Sequence, residues 1–318
     1  MLSYAVWKSN LSRIAAAVRG CAGAPLALLL AVVAGGAARA DSDVVIAGVP
    51  VHVRYPAGAY AREPDVLAWV RRSGAIVAAY YGRFPAATLT LELEPVAGGG
   101  VHGGQTFGQP APFIRVRLGR EADAAQLMDD WVLVHEMTHL ALPDTGERHA
   151  WLSEGVATYV EGVARVQAGN RSEADMWGEE LRAMPRGLPG PQDEGLDRTH
   201  TWGRTYWGGA MFCLLADVEI RRRTGNAKGL QDALRAVLVA SGGLHSDWPI
   251  ERVFATGDAA VGVPVLAELY ARYADKPATP DLKGLWKELG VTADGEGVRL
   301  DDSAPLAPVR RAILTPER

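Results

Sequence analysis

Cysteine is nearly absent from this 318-residue sequence, and so are long hydrophobic runs. Cys21 lies near the N-terminus and Cys213 stands alone in an apolar segment. No disulfide framework is available, and the second thiol reads as a core residue. The longest apolar run, Pro25 to Val33, is too short to cross a bilayer, since a spanning helix takes about 20 apolar residues. It follows Lys8, Arg13 and Arg19 with no acidic residue, and leads to Ala38-Arg39-Ala40. A basic start, a short apolar core and an A-x-A site read as a secretory signal peptide over residues 1–40. The expected location is therefore exported, periplasmic or extracellular, with no stable membrane span after cleavage. An uncleaved leader would instead tether the protein to the membrane. Removing Lys8, Arg13, Arg19 and Arg39 moves the formal net charge from −4 to −8. No basic arm remains to neutralise phosphates, which excludes nucleic acid as a partner. Repeats, heptad runs and low-complexity tracts are also lacking. Nothing in the sequence sets an oligomeric state.

What is present divides into two halves. Val44 to Tyr55 reads as a strand, and Val66, Trp69, Val70, Ile76, Val77 and Tyr80 fall at helical spacing within Pro64 to Tyr81. "ATLTLELEP" and "PFIRVRLG" alternate as strands, on either side of the glycine-rich "VAGGGVHGGQTFGQPAP". That stretch departs from a phosphate-binding loop at Gln105, where lysine is required, and Pro110 and Pro112 follow where that motif needs a helix. It reads as a flexible rim, with "FIRVRLG" as a strand able to pair with an extended substrate. Helices are predicted over 122–141, 151–167, 206–223 and 229–240, then shorter ones to about residue 289. "MPRGLPGPQDEGLDRTHTWG" reads as an irregular surface loop. The fold class is α+β, with an α/β lobe over residues 41–145 and a mainly helical lobe over 146–318.

The chemistry concentrates in "VHEMTHLALPDTGERHAWLSEGVATYVEG". His135 and His139 stand four apart, so one helix face carries both imidazoles a turn apart. Two such nitrogens suit a tetrahedral zinc. Glu136 is turned about 100° from His135, which suits the base of an H-E-x-x-H site. A pair of core histidines bonded to backbone would give the same pentapeptide. The following helix weighs against that, because Glu154, fourteen residues after His139, adds a carboxylate, with Ser153 as a helix cap. Two neutral histidines and one carboxylate leave a fourth position of the ion open, as catalysis requires. Glu161, two turns beyond Glu154, either orients a ligand histidine or makes a structural ion pair.

"HEMTH" followed by "WLSEGVATYVEG" resembles the gluzincin metallopeptidases, in particular the aminopeptidase N and glycyl aminopeptidase branches. The resemblance implies a thermolysin-like two-lobed zincin in which His135, His139 and Glu154 bind one Zn2+ and Glu136 is the general base. "TYWGGAMFCLLADVEIRRRTGNAKGLQDALRAVL" is similar to the tyrosine helix of the glycyl aminopeptidases. Tyr206 falls where those enzymes place the phenol that stabilises an oxyanion, although a core role would also suit it. His200 and Arg204, nearby, are candidates to help bind substrate, and His149 lies close in sequence to the ligand helix. The implied activity is hydrolysis of peptide bonds in a peptide or protein substrate. A non-catalytic protein that binds zinc and peptide on the same framework is the alternative.

Two departures stand out. Family members carry a glutamate just upstream of the zinc helix to grip the substrate's free amine, whereas "GGGVHGGQTFGQ" has no acidic residue. The lysine of their "Y-x-K-G" is Gly208 here. Exopeptidase and endopeptidase activity both stay open.

Overall fold

Alternating apolar residues build the first part of the computed structural model, which describes residues 39–316. Strands β1 (Arg39–Ile46) and β2 (Val49–Pro56) form a hairpin, followed by helix α1 (Glu63–Tyr81) and strands β3 (Leu89–Val96), β4 (Val101–Phe107) and β5 (Phe113–Gly119). They make one sheet of order β1-β2-β3-β5-β4. The inner strands β2, β3 and β5 are parallel, and the edges β1 and β4 are antiparallel. Every second residue of the central strands is buried, as with Leu89, Leu91 and Leu93 on β3 and Ile114, Val116 and Leu118 on β5.

Two strand expectations are corrected. The single strand read over Val44 to Tyr55 is a hairpin that turns at Ala47 and Gly48, with φ of 48° and 83°. Two consecutive positive φ values make a two-residue hairpin turn, and Ala-Gly hides it because Asn-Gly is the usual signal. The glycine-rich rim is in fact strand β4, paired to β5 with an irregularity between Val101 and Gly103. Its glycines remove the alternation by which a strand is recognised. Consequently β5 is an interior strand, and β4 holds the sheet edge.

Helices follow: α2 (Ala124–Asp129), α3 (Val132–His139), α4 (Ala150–Gln167) and α5 (Glu173–Ala183). A single π turn, Arg204–Gly208, runs into α6 (Gly209–Thr224), and then come α7 (Leu230–Ser241), α8 (Ile250–Val261), α9 (Val265–Tyr273) and α10 (Leu282–Leu289). A small hairpin, β6 (Val291–Asp294) with β7 (Gly297–Leu300), and α11 (Ala307–Leu314) complete the described chain. The architecture is mixed α/β, a sheet followed by helices. The sequence predicts no element where α5, the second hairpin and α11 lie.

The helix expected over 122–141 breaks at Asp130. There the backbone is extended, with ψ 134°, and the Asp130 carboxylate accepts from the backbone N–H of Val132 and Leu133 at 3.0 and 3.1 Å and from Trp69 Nε1 at 2.9 Å. An acid capping first-turn amides starts a new helix. α3 therefore takes its own direction, fixed to α1 through Trp69.

Among the described residues no helix is long and apolar enough to cross a membrane. The leader read in the sequence lies outside them, except Arg39 and Ala40, which open β1.

α4 and α6 meet backbone to backbone. A Cβ on Gly155 would fall inside the backbone of Gly209, and one on Gly209 would strike the Trp151 carbonyl oxygen. Because neither main chain can yield as a flexible side chain would, Gly155→Ala is expected to lower stability by about 1–3 kcal/mol, read as a lower thermal midpoint. A variant as stable as the parent would show that the helices separate at little cost.

Candidate metal centre

α3 holds His135 and His139 with ring centroids 4.9 Å apart. From α4, Glu154 Oε2 approaches His135 Nε2 at 3.3 Å and His139 Nε2 at 3.6 Å. One ligand atom from each of the three lies within 4.8 Å of the others. The side chains of His135, His139 and Glu154 are 6, 11 and 24 % exposed, so the carboxylate is the member that faces outward. Burial acts to raise the Glu154 carboxyl, but the neighbouring histidines overcome it and hold the group well below the usual carboxylate range. Burial acts to lower the His139 imidazole, and Glu154 overcomes that in turn and raises it. Two imidazole nitrogens and a carboxylate oxygen converging from two helices are the donor set that a zinc ion takes.

Ser153 does not cap α4. His149 holds the N-cap position, and Ser153 Oγ lies 2.9 Å from His139 Nδ1. An imidazole that donates Nδ1–H to this serine keeps its lone pair on Nε2, the His139 atom nearest Glu154. This is the orienting role that the sequence reading offered to Glu161. Glu161 is instead an ion-pair partner: its Oε1 accepts from Arg165 Nη1 at 2.7 Å, one turn along the same helix. Arg165 also donates to the Asp129 carbonyl and to Asn170 Oδ1, which ties α4 to the end of α2. The overlooked signal for Ser153 was its place next to a ligand, one residue before Glu154.

Glu136 is buried beside the triad. The Thr106 hydroxyl of β4 lies 2.6 Å from Glu136 Oε2 and 2.9 Å from its carbonyl oxygen, within donating reach of both. Two residues earlier, a Cβ on Gly104 would collide with the Glu136 side chain. The glycine makes room for the acid, and the threonine fixes where its carboxylate points.

Tyr206 lies in the π turn, with its ring nearly parallel to that of His135 at 6.2 Å and 15°. Arg204 is buried and committed elsewhere, paired to Asp193 at 2.7 Å and donating to the Gly187 carbonyl at 2.6 Å. It is a structural cation, not a substrate group, and His200 is exposed. His149 turns to the Thr145 carbonyl and to Asp197, away from the ligands. Asp197 also accepts from Trp151 Nε1 at 2.8 Å and from the Tyr270 hydroxyl at 2.7 Å, which anchors the start of α4 to α9. The loop predicted as surface thus supplies buried anchors in Asp193 and Asp197.

Behind Glu161, burial first and then the charges of Glu179 and Glu161 push the Glu180 carboxyl up to about 8.

Ser153→Ala should weaken zinc affinity about tenfold or more, measured by competition with a chromophoric chelator; unchanged affinity would mean that the serine does not set the tautomer. Glu180 yields a second expectation. Its folded value is raised from 4.5, so its contribution to stability is complete below about pH 4.5 and is lost as pH rises to about 8. Thermal midpoints followed across that window should fall less steeply for Glu180→Gln than for the parent, and parallel curves would refute the assignment.

No family model matches the sequence, and no curated protein matches it. Among solved structures the fold is similar to an aminopeptidase N family protein from Idiomarina loihiensis, at 14% identity and TM-score 0.61, over 80% of this chain and 49% of that one. It is also similar to a mutant of the M1 zinc metallopeptidase from Deinococcus radiodurans, at 16% identity and TM-score 0.50, over 77% of this chain and 53% of that one. A two-domain M1 zinc metallopeptidase mutant bound to L-arginine matches with the same identity, TM-score and coverage. The chain spans about half the length of these structures. Over more than three quarters of its length it carries the fold seen in M1 zinc metallopeptidases and the aminopeptidase N family.

Proposed function

We propose that the protein is an exported zinc-dependent peptidase, a two-lobed zincin with lobes at residues 41–145 and 146–318. The observation that carries this reading is the meeting of His135, His139 and Glu154 within 4.8 Å, with a separate buried carboxylate, Glu136, held next to them by Thr106. The likeness to M1 zinc metallopeptidases supports it. Export rests on the leader sequence alone.

His135 Nε2, His139 Nε2 and a Glu154 oxygen would hold the ion. When bound, zinc supplies Lewis-acid polarisation of a carbonyl and acidifies a water. Glu136 takes the proton as water attacks the scissile carbonyl, then delivers it to the departing amine nitrogen. The Thr106 hydroxyl keeps the Glu136 carboxylate in one orientation through both transfers. Tyr206 is the donor for the oxygen on which negative charge develops. Along β4, backbone groups on the side away from β5 are available to an extended peptide. No carboxylate stands on β4 to grip a free amine, so the cleft accepts internal segments as well as N-termini. Serine and cysteine nucleophiles have no part; Cys213 is buried and its thiol is pushed far up, first by burial.

The test is cleavage of a mixed peptide library, read by mass spectrometry, with zinc content measured in parallel. Glu136→Gln should lose at least about 100-fold in turnover, the scale of general-base catalysis, while zinc stoichiometry is kept. Removal of zinc by a chelator should abolish cleavage and restoration should return it. A parent chain that binds zinc and peptide but cleaves nothing would establish the non-catalytic alternative.

A further inference from the structure

Eight tryptophans fall among the described residues, and six of them, Trp69, Trp151, Trp177, Trp207, Trp248 and Trp286, are at most 8% exposed. The other two, Trp131 and Trp202, are 52 and 48% exposed. An indole left half in water is unusual for so large an apolar surface, and here both exceptions border the same centre. Trp131 stands edge-on to His135, with centroids 5.6 Å apart and planes at 88°. Trp202 stacks on Tyr206 at 5.8 Å and 25°, and Tyr206 lies nearly parallel to His135. The four rings form one row, Trp131–His135–Tyr206–Trp202, with a half-exposed indole at each end.

Their positions in the chain follow from features with other causes. Trp131 sits in the break between α2 and α3 that Asp130 creates. Trp202 lies just before the π turn that carries Tyr206. Neither indole is needed for the core of its own helix.

From this arrangement we infer that Trp131 and Trp202 are two stacking surfaces of a substrate subsite, each able to take an aromatic side chain flanking the scissile bond. The inference rests on the peptidase reading above and names its substrate class. Three of the rings lie within 25° of their neighbours' planes, so a further ring can extend the row by offset stacking or meet an indole edge to face. A substrate ring packed on Trp131 lies next to a ring that touches His135, and one packed on Trp202 lies next to a ring that touches Tyr206.

The probes are acetylated, amidated hexapeptides that differ only in one central residue, Phe, Leu, Arg or Ala. Binding is measured by calorimetry on the zinc-loaded Glu136→Gln protein, where turnover does not interfere. The Phe peptide should bind about tenfold more tightly than the Ala peptide, the scale of an aromatic pair plus its buried area. Adding Trp131→Ala and Trp202→Ala together should reduce that ratio to about twofold with zinc retained, while the matching pair of Trp→Phe changes preserves it. Should the double Ala variant lose zinc or fail to fold, the pair of Trp→Leu changes takes its place and should lose the preference that the Trp→Phe pair keeps. Equal binding of Phe and Ala peptides, Arg bound as tightly as Phe, a preference that survives both Ala changes, or no binding of any peptide would each overturn the subsite. Aromatic selectivity in binding, with no cleavage by the parent protein, would support the subsite and refute the peptidase reading.

Discussion

Three donor atoms from two helices must meet at one point, and everything around the centre serves to hold α4 at the depth that makes this possible. An ordinary helix pair keeps its axes about 8–10 Å apart through interposed side chains. α4 and α6 come closer than side chains permit at Gly155 and Gly209, directly beside Glu154. Trp151 fixes the start of α4 through Asp197 and Tyr270, and Arg165 fixes its far end to the α2 terminus. The ligand carboxylate is thus located by backbone contact and buried hydrogen bonds, with little left to its own rotamer.

The electrostatics follow from that placement. One carboxylate oxygen lies near two imidazole nitrogens, and the groups shift one another, Glu154 downward and His139 upward. Glu136 is adjacent to His135 in sequence and would be drawn into the same cluster. The Thr106 hydroxyl gives its carboxylate a different partner, and Gly104 provides the space. What sets the Glu136 carboxylate apart from that of Glu154 therefore lies in β4, an element remote in sequence from both acids.

This separation explains what could be read beforehand. His135, His139 and Glu136 were legible because helical spacing alone fixes their relation, and α4 was legible from the periodicity of its apolar face. The central strands announced themselves through alternation. β4 did not, since glycines at 103 and 104 carry no pattern, and the space that Gly104 leaves serves a side chain thirty-two residues ahead of it. Ser153 looked like a cap because capping is a local rule, whereas its partner is fourteen residues away. For Glu161 the sequence allowed both a histidine and an ion pair, and the partner it takes is Arg165, four residues on along the same helix. The break at Asp130 needed Trp69, sixty-one residues distant, to bury the acid.

The irregular segment between α5 and α6 gains a purpose on the same reasoning. A helix that began at the expected position would carry Tyr206 in regular α geometry, but a π turn inserts extra backbone there and shifts the register of every side chain before Gly209. Such a turn costs hydrogen-bond quality, so it persists only where the surroundings hold it. Downstream, the register of α6 is fixed by the contact of Gly209 with the Trp151 carbonyl. Upstream, Arg204 is pinned to Asp193 and to the Gly187 carbonyl. With both ends held, the four residues between Arg204 and Gly209 are obliged to accommodate the mismatch, and the ring that emerges from it lies nearly parallel to that of His135. The position of Tyr206 is therefore a property of the loop and of α4 together, and neither its own helix nor its neighbours in sequence would have set it.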